Sequence, residues 1–325
     1  RGHTQIVNVL IQSRADLDLG DVFGSSPLHA AAASGHARLV RLLIEGRANL
    51  HRGNVHDVSP LHVAAAQGHL EIVSLLLLSG AEKDRGNFSG ATPLRGAAEQ
   101  GQLAVVRFLL QSRADSTISD TSNITALHAA ALQGHGPIAE LLVQSNSDVN
   151  WASCDGVTPL YGAAVRGDVH LVKYLLDCRA DPNQGNVKKD MPLHAASALS
   201  QGQVVECLLD AAAEVNAVNS RGFSPLNTAA SLGRVEAARV LVNAGARKEL
   251  PNNSGLTPLS NAAAQGNMEI ICLLVEADQV LQGSTSNNGG AVRARCDEVG
   301  HEVDTKKLFD SAVVTAEEVG AGGLQ

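Results

Sequence analysis

The sequence is short of aromatic side chains: one Trp, two Tyr and five Phe in 325 residues, or 2%. Hydrophobic residues still make up 44%. A chain of this length can bury a large core, and that core must be aliphatic and alanine-rich. Apolar content at this level argues against disorder over most of the length. Cysteine is scarce, with five residues and no C-x-x-C pair. That disfavours a disulfide scaffold or a structural zinc site and suits a reducing compartment. Basic charge is also short: 25 Lys and Arg face 33 Asp and Glu, a net of −8. Such a balance is poorly suited to gripping a phosphate backbone.

No apolar run approaches the ~20 residues of a membrane-spanning helix. The best stretch, Ile72 to Ala81, is half as long and contains Ser74, Ser79 and Gly80. The chain opens at Arg1 with neither Met nor a signal pattern and reads as a fragment of a longer product. Catalytic signatures are missing too. There is no Gly-Lys dipeptide, hence no P-loop, and no G-x-S-x-G. His301-Glu302 starts like a metalloprotease helix, but Thr305 stands where the second His belongs.

What the chain does contain is a repeat. Ser26-Pro27-Leu28 recurs as Ser59-Pro60-Leu61, Thr92-Pro93-Leu94, Thr125-Ala126-Leu127, Thr158-Pro159-Leu160, Met191-Pro192-Leu193, Ser224-Pro225-Leu226 and Thr257-Pro258-Leu259. Every interval is 33 residues. An Ala pair follows each Pro, as in Ala31-Ala32 and Ala64-Ala65, broken only by Ser197. A Gly comes next (Gly35, Gly68, Gly101, Gly134, Gly167, Gly233, Gly266), with Ser200 the exception. Apolar pairs such as Ile72-Val73 and Leu76-Leu77 then take the spacing of one helix face.

The physics of one unit is readable. Ser or Thr before Pro predicts an N-cap with Pro at the first helical position. Gly35 predicts a left-handed stop. Leu39, Val40, Leu43 and Ile44 predict a second helix, and the turn-rich stretch 49–58 leads to the next unit. One such unit cannot bury its apolar face alone, so the units must stack.

The pattern Thr-Pro-Leu-His-x-Ala-Ala, then Gly-His, then Ile-Val-x-x-Leu-Leu resembles ankyrin repeats. The resemblance covers residues 1–282. Residues 1–23 form a partial repeat, in which Gly2-His3 aligns with Gly35-His36, and eight repeats start from about residue 24. It implies an all-α solenoid of stacked helix-turn-helix units with protruding β-turn fingers. One departure recurs: Arg14, Arg47, Arg113 and Arg179 stand where a Gly is expected after the second helix. A left-handed Arg costs up to ~1 kcal/mol relative to Gly.

The histidines are tempting as metal ligands. His29, His62, His128 and His194 share one position, and His36, His69 and His135 another. Equivalent residues in stacked units sit ~8–10 Å apart, whereas zinc needs ligands at ~2.1 Å. They read better as bridges to the backbone of adjacent turns. Cys154, Cys178, Cys207, Cys272 and Cys296 lack an activating base. No metal, cofactor or catalytic role is expected.

Residues that break the repeat carry the functional expectation. The fingers and the exposed face of the first helices line a concave surface in this architecture. Five of the eight aromatics fall there: Phe23, Phe88, Trp151, Tyr161 and Phe223. Val55, Val58 and Ile124 add apolar turn residues, and Arg95, Arg166 and Arg221 add charge. Gly96 and Gly162 are expected to open space beside Arg95 and Tyr161. Exposed apolar patches and aromatics mark interaction sites; the competing reading is that each aromatic packs on its own turn. The resemblance further implies two candidate asparaginyl hydroxylation sites, Asn150 and Asn216, in Asp148-Val149-Asn150 and Glu214-Val215-Asn216.

These readings predict a monomeric, non-catalytic scaffold in the cytoplasm or nucleus that binds a protein or peptide, neither binding nucleic acid nor inserting into membranes. The alternative is the recognition arm of a larger enzyme or channel. Residues 283–325 are expected to form a flexible linker and tail, with a short helix over 305–319. The last repeat places Cys272 beside Leu273 where earlier repeats are mostly charged, so the tail is expected to dock there weakly.

Overall fold

The computed structural model describes residues 3–281, with side-chain detail through 275. The expected linker, the 305–319 helix, Cys296 and His301 lie outside the described residues. The chain divides into two compact units, Arg1–Asp181 and Pro182–Gln325. Among the described residues every regular element is a helix.

Among its described residues unit 1 carries eleven helices. These are α1 (Thr4–Gln12), α2 (Pro27–Ala33), α3 (Ala37–Glu45), α4 (Pro60–Ala66), α5 (Leu70–Leu78), α6 (Pro93–Glu99), α7 (Leu103–Gln111), α8 (Ala126–Gln133), α9 (Gly136–Gln144), α10 (Pro159–Arg166) and α11 (Val169–Asp177). The first helices α2, α4, α6, α8 and α10 pack in one row, and the second helices α3 to α11 in another. Unit 2 repeats the plan with α12 (Pro192–Ala198), α13 (Gly202–Asp210), α14 (Pro225–Ser231), α15 (Val235–Asn243), α16 (Pro258–Ala264) and α17 (Met268–Leu281).

The local signals explain these boundaries. Ser26, Ser59, Thr92, Thr125, Thr158, Ser224 and Thr257 each accept the N–H three residues on, capping the first helix. Each such cap stabilises its helix by ~1 kcal/mol. Met191 lacks the hydroxyl and caps nothing through its side chain; its N–H donates to His194 Nδ1 at 3.2 Å, as Ser59 N–H does to His62. The first helices stop at left-handed residues, Gly134 at φ 77° and Ser200 at φ 61° among them. The second helices stop at Arg14 (59°), Arg47 (66°), Gly80 (95°), Arg113 (63°), Asn146 (67°), Arg179 (67°), Ala212 (62°) and Gly245 (81°). The four arginines therefore do hold the strained conformation the sequence implies. At the corresponding position of the last repeat, Asp278, no stop occurs: α17 runs on for 14 residues against nine in α15.

The core is aliphatic. Leu28, Val40, Val73, Leu76, Leu127, Leu142, Leu160 and Leu175 are fully buried in unit 1, as are Leu208, Leu226 and Leu241 in unit 2. Each buried Leu contributes ~1.5–3 kcal/mol of transfer free energy. Ala64-Ala65, Ala97-Ala98 and Ala163-Ala164 are fully buried too. Their small size lets neighbouring first helices approach closely.

Candidate functional site

Each finger is closed by one side chain that recurs every 33 residues. The carboxylate of Asp21 accepts the N–H groups of Phe23 and Ser25, both at 2.9 Å. Asn54, Asn87 and Asp120 do the same in unit 1, and Asn186, Asn219 and Asn252 in unit 2. Ser153 substitutes with a single bond to Val157 N–H at 3.1 Å. These Asx turns were missed in reading the sequence, although Asp or Asn at a fixed register was visible. Successive fingers are then tied by one backbone bond: Val55 N–H to Phe23 O at 3.0 Å, Phe88 N–H to His56 O at 3.1 Å, Thr121 N–H to Ser89 O at 2.8 Å.

The shared histidines join each first helix to the following finger. His62 Nε2 lies 2.9 Å from Ala91 O, His128 Nε2 3.0 Å from Val157 O, and His194 Nε2 3.0 Å from Phe223 O. A carbonyl only accepts, so Nε2 carries the proton and Nδ1 is left to accept. In His62 it takes the N–H of Ser59 at 3.2 Å. Burial lowers the pKa of His29, His62, His128 and His194, against the opposing pull of the carbonyl bonds. These residues are bridges, as their spacing suggests. Among the described residues no group of three or more His, Cys, Asp or Glu side chains converges as a metal would require.

Where the histidine is replaced, the bridge is rebuilt differently. Arg95 lies 3.6 Å from Glu99 and 3.5 Å from Asp120, with its side chain 18% exposed. It therefore pairs with the carboxylate that closes the next finger. Asn227, fully buried, donates to Leu250 O and Leu256 O at 3.0 and 3.2 Å. Tyr161 is half-buried, its N–H on Thr158 Oγ1 at 3.2 Å. Arg166 is exposed but anchored, its Nη2 2.9 Å from Gln133 O.

One expectation is corrected here. Gly162 does not open space beside Tyr161: a Cβ there would meet Leu132 Cγ at 3.1 Å, so the gap is filled from the preceding repeat. Gly96 does leave room, with only Ala66 Cβ at 3.7 Å.

The remaining candidates separate by depth. Val22 (90% exposed), Phe23 (66%), Val55 (52%) and Phe88 (74%) project from the first three fingers. Val58, Ile124 and Phe223 sit at the last position of their fingers and are half-buried. Arg221 is exposed, its guanidinium 5.7 Å from the Phe223 ring centroid. Trp151 is 40% exposed, and its indole N–H donates to Asn123 O at 3.1 Å. Asn150 spans two repeats, accepting Asp181 N–H at 2.8 Å and donating to Arg179 O at 3.1 Å. Asn216 accepts Arg247 N–H at 2.7 Å. Away from the fingers, Leu78 is 84% exposed at the end of α5, beside an open crevice lined by Leu77, Ala81 and Phe108. No described helix is long and apolar enough to cross a membrane.

Comparison with known proteins agrees with this geometry. The ankyrin-repeat family model matches residues 1–87, 53–120, 94–186 and 193–285. Among solved structures, the human ASB11 ankyrin repeat domain is similar with a TM-score of 0.61 and 32% identity, over 68% of this chain and 99% of that one. A comparison with curated protein sequences finds no significant match. The chain belongs to the ankyrin-repeat family, an all-α repeat solenoid whose members generally serve as protein–protein interaction modules.

Proposed function

We propose that this chain is a non-catalytic scaffold that binds a partner protein or peptide on the exposed face of its fingers and first helices. The observation that carries this reading is the row Phe23, Val55 and Phe88. These side chains are 66%, 52% and 74% exposed while the repeat positions beneath them, Leu28, Leu61 and Leu94, are 0–1% exposed. Stacking requires no apolar side chain at the tips, so side chains left this exposed are available to a partner. Trp151 and Tyr161 extend the surface, the indole being held in a fixed orientation by Asn123 O. A recognition arm within a larger enzyme or channel would use the same surface.

Pull-down with the purified chain, identification of the captured protein and titration calorimetry with that protein in pure form test the reading. Phe23→Ser with Phe88→Ser, and separately Trp151→Ala with Tyr161→Ala, should each weaken binding by ~2 kcal/mol, as for interface hot spots. Circular dichroism should report an unchanged fold for the Phe23/Phe88 variant. Undiminished affinity in both variants would place the partner elsewhere.

A further inference from the structure

Unit 2 presents a surface of different character. Lys188, Lys189 and Arg221 are exposed on two adjacent fingers, Asn186–Asp190 and Asn219–Phe223. The fingers are joined by Ser220 N–H to Lys188 O at 2.8 Å, which sets Lys188 and Arg221 one residue apart across the junction. None of the three forms an ion pair with a carboxylate among the described residues. The neighbouring acid, Asp190, forms no ion pair with them; its Oδ1 accepts from Asn219 Nδ2 at 2.7 Å. In a chain with a net charge of −8, three clustered cations without acidic partners run against the overall sign.

The backbone adds a second, independent observation. The residue before last in each finger is left-handed throughout: Gly24, Asp57, Gly90, Asn123, Gly156, Lys189, Gly222 and Gly255. Asp and Asn tolerate that region better than other side chains, and Gly adopts it without strain. Lys189, at φ 59°, is the poor fit of the series. The fold gains nothing from a lysine at this position, so its charge is the feature that distinguishes it. Beside the cations lie apolar contacts: Val187 (66% exposed), Val218 (44%) and the half-buried Phe223 ring with Arg221 against it.

We propose that these two fingers bind a short acidic peptide segment of a partner protein, its carboxylates on Lys188, Lys189 and Arg221 and an apolar side chain on Val187. Exposed ion pairs contribute little singly, so the occupant must offer several carboxylates together with an apolar anchor. A nucleic acid fits less well: three cations neutralise too few phosphates, and the acidic remainder of the chain repels a polyanion. The proposal rests on reading the chain as a binding module but uses a different unit and different residues.

The test is fluorescence anisotropy of the full chain with a fluorescein-labelled decapeptide of Glu and Asp around a central Leu-Phe pair. Lys188→Glu with Arg221→Glu should weaken binding at least about tenfold, reversing two attractions into repulsions. Lys189→Gly should weaken it about threefold and raise the melting temperature, since it removes charge and backbone strain together. An affinity loss accompanied by a stability gain cannot arise from unfolding. Phe23→Ser with Phe88→Ser should leave peptide binding unchanged. The proposal is overturned by unchanged affinity in the charge variants, by loss in the Phe23/Phe88 variant, or by equal binding of the Lys/Arg version of the peptide. Tighter binding of a ten-nucleotide thymidine oligomer would overturn it in favour of nucleic acid. Failure of the module reading would show instead in calorimetry with the captured partner, where the unit 1 variants are the informative ones.

Discussion

Arg166 closes the end of a helix one repeat away: its Nη2 donates to Gln133 O at 2.9 Å. Elsewhere a similar bond comes from the residue preceding the second helix and reaches a carbonyl one register position earlier, as in His69 to Ala33 O at 3.2 Å, Gln102 to Ala66 O at 3.3 Å, His135 to Glu99 O at 3.1 Å and Arg234 to Ala198 O at 2.7 Å. In α11 that residue is Asp168, which instead accepts Leu171 N–H at 3.0 Å. A carboxylate cannot donate, so the donor moves two residues upstream. Arg166 looks available for a partner in sequence, yet it already terminates α8.

Arg166→Met should therefore lower stability by ~1 kcal/mol, the net value of one hydrogen bond to a helix-end carbonyl. Urea denaturation measures it. An unchanged midpoint would show that water replaces the guanidinium at no cost.

Gly96 and Gly162 share a register position but should respond oppositely to alanine. Gly96→Ala enters open space and should stabilise by ~0.5–1 kcal/mol through helix propensity. Gly162→Ala meets Leu132 Cγ at 3.1 Å, and the overpacking should offset or exceed that gain. In a Leu132→Ala background the added methyl should cost less, the contact with Leu132 N at 3.3 Å remaining. Thermal melts of these three variants and of Leu132→Ala alone test this, and a Gly162→Ala protein as stabilised as Gly96→Ala would refute it.

The left-handed arginines give a third expectation. Arg113→Gly, at φ 63°, should raise stability by up to ~1 kcal/mol, reduced by the greater freedom of glycine in the unfolded chain. Ala212→Gly, at φ 62°, should behave alike. If both variants melt lower than the parent, side-chain contacts of Arg113 and Ala212 outweigh the strain.

Acid should weaken the array. Burial lowers the pKa of His29, His62, His128 and His194 below the ordinary 6.5. The unfolded chain therefore binds protons first as pH falls. Stability is full above pH ~6.5, declines below it, and levels off only beneath the folded-state values, with a slope of at most ~1.4 kcal/mol per pH unit for each histidine. Chemical denaturation at several pH values reads the slope. His128→Asn, imitating Asn227, should reduce it by one histidine's share; a pH-independent midpoint would contradict the mechanism.

Much of this was legible in the amino-acid order. The 33-residue period, the Ser and Thr caps, the left-handed arginines and the bridging histidines each follow from local chemistry repeated in register. What repeats in sequence must satisfy the same neighbours in space, so these positions explain themselves one repeat at a time. The Asx side chains from Asp21 to Asn252 belonged to the same readable class and were passed over.

The variable positions were another matter. Phe23 and Phe223 both occur in fingers, yet one projects and the other is half-buried under Arg221. Arg95 turns toward Asp120, the indole of Trp151 is tied to Asn123 O, and the room beside Gly162 is taken by Leu132. The last three outcomes depend on a side chain or carbonyl of the neighbouring repeat, 25 to 30 residues away, and the Phe223 ring on Arg221 within its own finger. The sequence by itself thus determined the stacked helices and their local stops, because those rest on backbone conformation and nearest-neighbour burial. Which side chains remain exposed for binding was decided only by tertiary structure, because exposure at a non-repeating position depends on what the adjacent repeat places against it.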